Sequence, residues 1–497
     1  MIARGLARPA SVAAALSLTV AVVLFLALST PAVQAASGSS ASACVINPGH
    51  TADEIERAIN GCGNGTPDDV TTVRFPANAS YVLKDTIYVK DRHNMVIDGR
   101  GSTFKITTDG QTKPTLRRLN PKYARSYNGG NWMLLRGSNI TLRNLTAVGS
   151  FEPAVKGEPR KLAAENRPEY LAKNAAGRTR YSEAMSNFGI YGTDGAYLEN
   201  LTGKFPWGDT VTTATDRYVD NFYGEHGGAA GQGNYARNVL VKRVRAEGTS
   251  RMCFGLTSGV DMWVEDSSCK SAWYGATDQE IDNPDQPLMG VHFLRNTFED
   301  FNLFGYLLPV AGTNTSDIDI RGNVFRTPPD SKCAAIIGMG GYPKIQAKIK
   351  DVTIENNTMV TYGTAIKLDS IAGGTVRNNR ITTRTDGNDC GKASGKGSAV
   401  DVSARSTGVA VANNGPDAPG AGAPIPPADR DLRPDGSSKP ARTAPAGDSV
   451  GAAKPDSSWP PPMWLWAVAG LAILGLLLAV IRSRRRGQGS ASNPPAT

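Results

Sequence analysis

One motif recurs along the chain: a short alternating strand, an Asn, Gly or Asp corner, and a second short strand. It reads VIDGRGSTF at Val96, ITLRNLTAV at Ile140, AYLENLTGK at Ala196 and VLVKRVRAE at Val239. It continues as MWVEDSSCK at Met262, VHFLRNTFED at Val291, DIDIRGNVF at Asp317, DVTIENNTM at Asp351 and GTVRNNRIT at Gly374. The apolar residue before each corner forms one column: Ile97, Leu142, Leu198, Val241, Val264, Phe293, Ile320, Ile354 and Val376. The first intervals in that column are 45, 56 and 43 residues and the later ones 23, 29, 27, 34 and 22. The wide intervals imply long loops or coils that the motif misses. Strands this short cannot bury a face alone. Stacked at about 4.8 Å per rung they share one continuous core, which predicts an all-β solenoid.

Two local signals agree with that architecture. The tandem asparagines Asn356–Asn357 and Asn378–Asn379 sit at corners, where Asn tolerates the left-handed backbone and its amide can bond along the stack. In TADEIERAINGC, Thr51 and Glu54 have capping-box spacing, and Ile55 and Ile59 form an i, i+4 apolar pair. The spacing predicts an amphipathic helix that covers the open end of the solenoid and its strand edges.

The segments TTVRFPANASYVLKDTIYV and NMVIDGRGSTFK follow that helix. Together they resemble the opening of right-handed parallel β-helix proteins of the pectate-lyase-like superfamily, over roughly residues 53–383. The resemblance implies a right-handed parallel β-helix with an N-terminal capping helix, and an extracellular polysaccharide as ligand. It leaves the reaction open, because the superfamily includes lyases, hydrolases, epimerases and non-catalytic adhesins.

The flanks predict an exported, tethered protein. Residues 1–36 combine a basic start, the apolar run SVAAALSLTVAVVLFLAL and the small residues of a cleavage site, as a secretory signal peptide does. Residues 37–405 form the β-helix ectodomain. Residues 406–462 form a linker, which from Pro416 onward is dominated by Pro, Ala, Gly, Ser and Asp and reads as a disordered, extended stalk. Residues 463–481 are 19 uncharged residues, enough for one transmembrane helix, and the arginines of the tail 482–497 mark its cytoplasmic side. These readings put the ectodomain outside the cell membrane, with a single span and a cytoplasmic C-terminus. The net charge of +9 does not form a basic face, so nucleic acid is not an expected partner. The six cysteines suit an oxidising compartment. Six cysteines allow fifteen pairings; only Cys44 with Cys62 is suggested locally, because they bracket the helical segment.

Offsets from the column place the candidate chemistry. Arg251 lies ten residues after Val241 and Tyr274 ten after Val264, so they should be neighbours on consecutive coils. In RMCFGLTS, inward Met252, Phe254 and Leu256 send Arg251, Cys253, Gly255 and Thr257 outward. One coil on, the same parity sends Tyr274, Ala276, Asp278 and Glu280 outward and Gly275, Thr277 and Gln279 inward. Asp209 belongs to the coil before, but strict parity points it inward and a bulge would be needed to expose it. Arg251, Tyr274, Asp278, Glu280 and Asp209 are the candidate catalytic residues. Tyr274 could stack on a sugar, and Arg251 could neutralise a uronate carboxylate for lyase or epimerase chemistry. Asp278 and Glu280 could instead serve hydrolysis as an acid and base pair.

The polygalacturonase-type motifs N-T-D, G-H-G and R-I-K are absent, and the one D-D, Asp68–Asp69, lies near the N-terminus, away from the candidate coils. YGATDQE is similar in outline to the aromatic-G-x-D-P-H element of mannuronan epimerases, but has Glu280 where that element has histidine. The alternative reading of Asp278, Glu280, Asp282 and Asp285 is a solvated acidic edge, which would leave a non-catalytic carbohydrate-binding or adhesin-like module. No cofactor is implied with certainty. Asp278, Asp282 and Asp285 leave a calcium ion open, at unspecific spacing. The histidines lack metal-ligand spacing, and His292, opposite inward Phe293, should be exposed. Two long loops, residues 151–186 and 218–234, could wall a groove. The weight falls on catalysis, as a lyase, epimerase or hydrolase acting on a polysaccharide, with oligomeric state undetermined.

Overall fold

A computed structural model describes residues 44–83, 86–106, 133–149, 186–206, 208–216, 234–279, 281, 287–301, 303–309, 314–328, 335–340, 347–384 and 399–424. The segments expected to be signal peptide, membrane span and cytoplasmic tail, with Glu280, Asp282, Asp285 and nearly all of residues 151–186 and 218–234, lie outside the described residues. Among the described residues no helix is long and apolar enough to cross a membrane.

The strands build a parallel β-helix with three sheets. One sheet stacks Ala236–Lys242, Gly259–Glu265, Leu288–Leu294, Thr315–Arg321, Ile349–Glu355, Ile371–Arg377 and Thr407–Ala412, each parallel to the next. A second stacks Arg245–Glu247, Ser268–Ala272, Thr297–Phe301, Val324–Arg326, Thr358–Thr361 and Arg380–Thr383. The third runs from Phe188–Tyr191 through Val211–Ala214, Met252–Leu256, Gly275–Asp278, Phe304–Leu308, Ile337–Met339 and Ile366–Leu368 to Val400–Val402. The earliest coils use longer strands, Ile87–Ile106, Met133–Val148 and Asp194–Lys204, which turn corners without leaving the ladder. A right-handed path is the rule for parallel crossovers of this kind.

The apolar column read from the sequence is one register line. Ile97 pairs with Leu142, Leu142 with Leu198 and Leu198 with Val241. The line continues through Val264, Phe293, Ile320, Ile354 and Val376, and every member is fully buried. Column residues on either side of each wide early interval pair directly, so no coil was missed between them. The stack also runs past residue 405: Thr407–Ala412 forms another rung inside the segment assigned to the linker.

The corner after each column residue divides the work of the tandem asparagines. The first is left-handed, as at Asn356 (φ 55°) and Asn378 (φ 57°). The second points inward and bonds along the stack. Asn296, Asn323, Asn357, Asn379 and Asn414 form a ladder in which each backbone N–H and each Nδ2 donates to the next Oδ1, at 2.8–3.2 Å. Each Nδ2 also donates to the carbonyl of the preceding coil's column residue, from Val264 to Val376. Ser267 heads the ladder, donating its N–H to Asn296 Oδ1 at 2.9 Å.

The N-terminal end is closed by the helix Ala52–Gly61, with Ile55 and Ile59 buried against the first coils. Its capping box is formed: Thr51 N–H donates to Glu54 Oε2 at 2.8 Å, and Glu54 N–H to Thr51 Oγ1 at 3.3 Å. Cys44 and Cys62 are disulfide-bonded across the helix. A second disulfide, Cys253–Cys269, was not foreseen, because strict alternation sends Cys253 outward. At the corner leading into Met252–Leu256 the alternation breaks, and Cys253 and Ala276 join the interior.

One outer line of the first sheet alternates in charge: Asp98, Arg143, Glu199, Lys242, Glu265. Burial alone would raise Asp98, but hydrogen bonds from Asn144, the Arg100 N–H and Arg143, each at 3.0 Å, outweigh it and hold the carboxyl below its usual range. A depressed folded pKa stabilises above the unfolded value of about 3.9 and is lost as pH falls through the folded one. Asp98→Asn should therefore be less stable than wild type at pH 7, with the gap closing on acidification to about pH 2. Thermal melting of both proteins across that range checks it.

Candidate functional site

Of the five candidates, Arg251, Tyr274, Asp278 and Glu280 were expected on one outer face, here that of the third sheet, and Asp209 to point inward unless a bulge exposed it. Three of them meet there, on consecutive coils. Phe254 and Leu256 face the core, so Gly255 faces out, and it is in register with Asp278 of the next coil. A Cβ on Gly255 would lie 2.3 Å from Asp209 Oδ2, so the Asp209 carboxylate rests directly over that glycine. Asp209 precedes Val211–Ala214, where strand alternation has not begun, and that lets its side chain reach the outer side. Its Oδ1 accepts the Met252 N–H at 3.1 Å and its Oδ2 accepts from Arg251 Nη1 at 3.0 Å. Arg251 Nη2 lies 3.6 Å from Asp278 Oδ2. One guanidinium thus bridges two carboxylates, one from the coil before and one from the coil after.

The triad is sealed rather than displayed. Asp209 is 0%, Asp278 4% and Arg251 6% exposed. Burying charges costs least when they are paired, and here one guanidinium faces two carboxylates across three coils. This corrects the expected solvent-facing patch. Tyr274 is half-buried, with its ring edge against Phe304 at 5.1 Å between centroids. Glu280 lies outside the described residues.

Behind Asp278 the core is polar. Thr277 and Gln279 turn inward as alternation predicts, and Gln279 Nε2 donates to Thr277 Oγ1 at 3.0 Å. Tyr306 pairs with Thr277 and is fully buried; burial, and secondarily the Asp278 charge, push its phenol far up. Sequence reading missed Gly255 and Tyr306. A glycine in the outward column beside an aspartate was the available signal for a close approach.

A second cluster lies on the outer side of the first sheet. His292, expected to be exposed, is buried: its ring stacks on Trp263 at 3.7 Å and its Nδ1 lies 3.3 Å from Asp319 Oδ2. Outward does not mean solvated where neighbouring aromatics cover the sheet. Among the described residues no group of His, Cys, Asp and Glu is placed to hold a metal ion.

No protein-family model matches the chain, and no curated protein matches it. Similar solved structures include a family 28 exopolygalacturonase from Yersinia enterocolitica, with 12% identity, a TM-score of 0.36, and coverage of 73% of this chain and 74% of that one. The Streptococcus pneumoniae surface protein and adhesin PfbA has 12% identity and a TM-score of 0.37, over 73% and 92% of the two chains. The endo-xylogalacturonan hydrolase from Aspergillus tubingensis has 12% identity and a TM-score of 0.35, over 76% and 93%. At that identity and those scores they assign no activity to this chain.

Proposed function

We propose that the protein is a tethered, extracellular β-helix hydrolase of a polysaccharide, with Asp209 and Asp278 as its carboxylate pair and Arg251 as the residue that positions them. The observation that carries this reading is the guanidinium shared by two aspartates on the outer side of the third sheet. Lyase and epimerase chemistry would use Arg251 to neutralise a uronate carboxylate, but that guanidinium already faces two carboxylates. Hydrolysis needs two carboxyl groups: one gives a proton to the glycosidic oxygen, and the other directs water, or itself attacks, at the anomeric carbon. The tether, read from the sequence, would give such an enzyme reach. The burial of all three side chains favours a second reading, in which the triad is an ionic clamp in a non-catalytic carbohydrate-binding module.

Incubating the protein with uronate and neutral polysaccharides, and recording reducing ends, unsaturated product and epimer ratio, separates the two. Hydrolysis predicts new reducing ends without unsaturated product. Asp278→Asn should then lose at least about 100-fold in rate, as expected for an acid–base residue, while binding is retained. Polymer binding with none of the three signals, and Asp278→Asn affecting only the melting temperature, would leave the clamp.

A further inference from the structure

The strand Val211–Ala214 has the sequence VTTA, which opens with three β-branched residues. Val211 joins the core, and Thr213 Oγ1 bonds inward to Met262 Sδ at 3.7 Å. Thr212 is therefore the outward residue of this rung. Its neighbours in register are Gly189 on the rung before and Gly255 on the rung after, and Gly255 is in register with Asp278. The outer column of the third sheet thus runs Gly189, Thr212, Gly255, Asp278. Asp209 fills the gap that Gly255 leaves in it. The position of a Cβ on Gly255 lies 2.3 Å from Asp209 Oδ2 and 3.7 Å from Thr212 Oγ1, so those two oxygens are at most about 6 Å apart. A water hydrogen-bonded to both spans up to about 5.6 Å, since each O–H···O bond is about 2.8 Å long.

We infer that Thr212 is the positioning residue for the water that cleaves the polymer, an inference that rests on the hydrolase reading above. The water gives one hydrogen to Asp209 Oδ2 and the other to Thr212 Oγ1, which turns a lone pair towards the anomeric carbon. As the water oxygen bonds to that carbon, its proton passes to Asp209. The glycosidic carbon–oxygen bond breaks and its electron pair stays on the leaving oxygen, which takes the proton of the Asp278 carboxyl. Exchange with solvent then returns both aspartates to their starting protonation. Branching at Cβ restricts χ1 of Thr212, so the strand sets the direction of the hydroxyl before any ligand arrives. Asp209 is on this account the base that directs water, and not the group that attacks.

The full chain is assayed on polygalacturonate, alginate, xylan and laminarin, with kinetics on whichever of them yields reducing ends. Thr212→Val, the same shape without the hydroxyl, should lower kcat about 10- to 100-fold and leave KM within about two-fold of wild type. Thr212→Ser should recover most of kcat, and both variants should melt close to wild type. NMR of the first product should show the anomeric configuration inverted. A raised KM with unchanged kcat would make Thr212 a sugar contact and overturn the inference. So would wild-type kcat in Thr212→Val, a serine variant as slow as the valine one, or a retained anomer, which would make Asp209 the nucleophile. In each of these cases the hydrolase reading stands. Wild type silent on all four polymers, with Asp278→Asn changing only stability, removes that reading and the inference together.

Discussion

Arg251→Ala is expected to cost about 3–5 kcal/mol of folding stability. Removing the guanidinium takes away the cation shared by Asp209, fully buried, and Asp278, 4% exposed. Arg251→Lys should recover only part, because one ammonium cannot reproduce the two-pronged reach of Nη1 and Nη2. The informative comparison is the triple replacement Asp209→Asn, Arg251→Met, Asp278→Asn. A buried ion cluster exchanged as a unit for neutral groups is often near neutral in stability, so the triple variant should be more stable than Arg251→Ala alone. Urea midpoints followed by tryptophan fluorescence give the ordering. If Arg251→Ala melts like wild type, the three side chains are not the mutually dependent unit described above.

The second large effect lies in the asparagine ladder. The Asn323 amide accepts the N–H and Nδ2 of Asn296, and donates to Phe293 O and to Asn357 Oδ1. Asn323→Ala strands several of these buried partners, at about 1–3 kcal/mol for each group left unpaired. A loss of about 3–6 kcal/mol follows, with protection from hydrogen exchange falling most at the flanking coils. Asn323→Asp should be no better, since a carboxylate cannot donate to Phe293 O and adds a buried charge. The control is the outer residue of the next coil's corner: Asn356→Gly keeps the left-handed backbone and should stay within about 0.5 kcal/mol of wild type. Equal losses at Asn323 and Asn356 would mean that the corner, not the amide chain, carries the stability.

These variants also show where the sequence was legible. The column from Ile97 to Val376 was readable because each rung must bury one residue in the same place, a constraint that repeats with every coil. The corners were readable because only Asn, Asp and Gly visit the left-handed region readily, although Arg243 and Arg295 do so here as well. The register of Arg251, Tyr274 and Asp278 followed from the same repeat. What alternation cannot reveal is whether an outward residue meets water. His292 and Asp278 both face out and both are buried, because their cover comes from residues distant in sequence. Alternation also fails at coil corners, which hid the Cys253–Cys269 bond and the outward reach of Asp209. Gly255 marks that reach, but only once its neighbour across the coil is known.

The amide ladder also makes the molecule extensible. Every rung from Asn296 to Asn379 consumes one acceptor from the following coil and offers the same acceptor to the coil before it. A coil copied whole, such as the 22-residue interval between Ile354 and Val376, would arrive carrying the donor and the acceptor that its new neighbours require. Length is then a free parameter of this architecture: gene duplication could add rungs one at a time, each templated by the last, while the helix that closes the first end stays as it is.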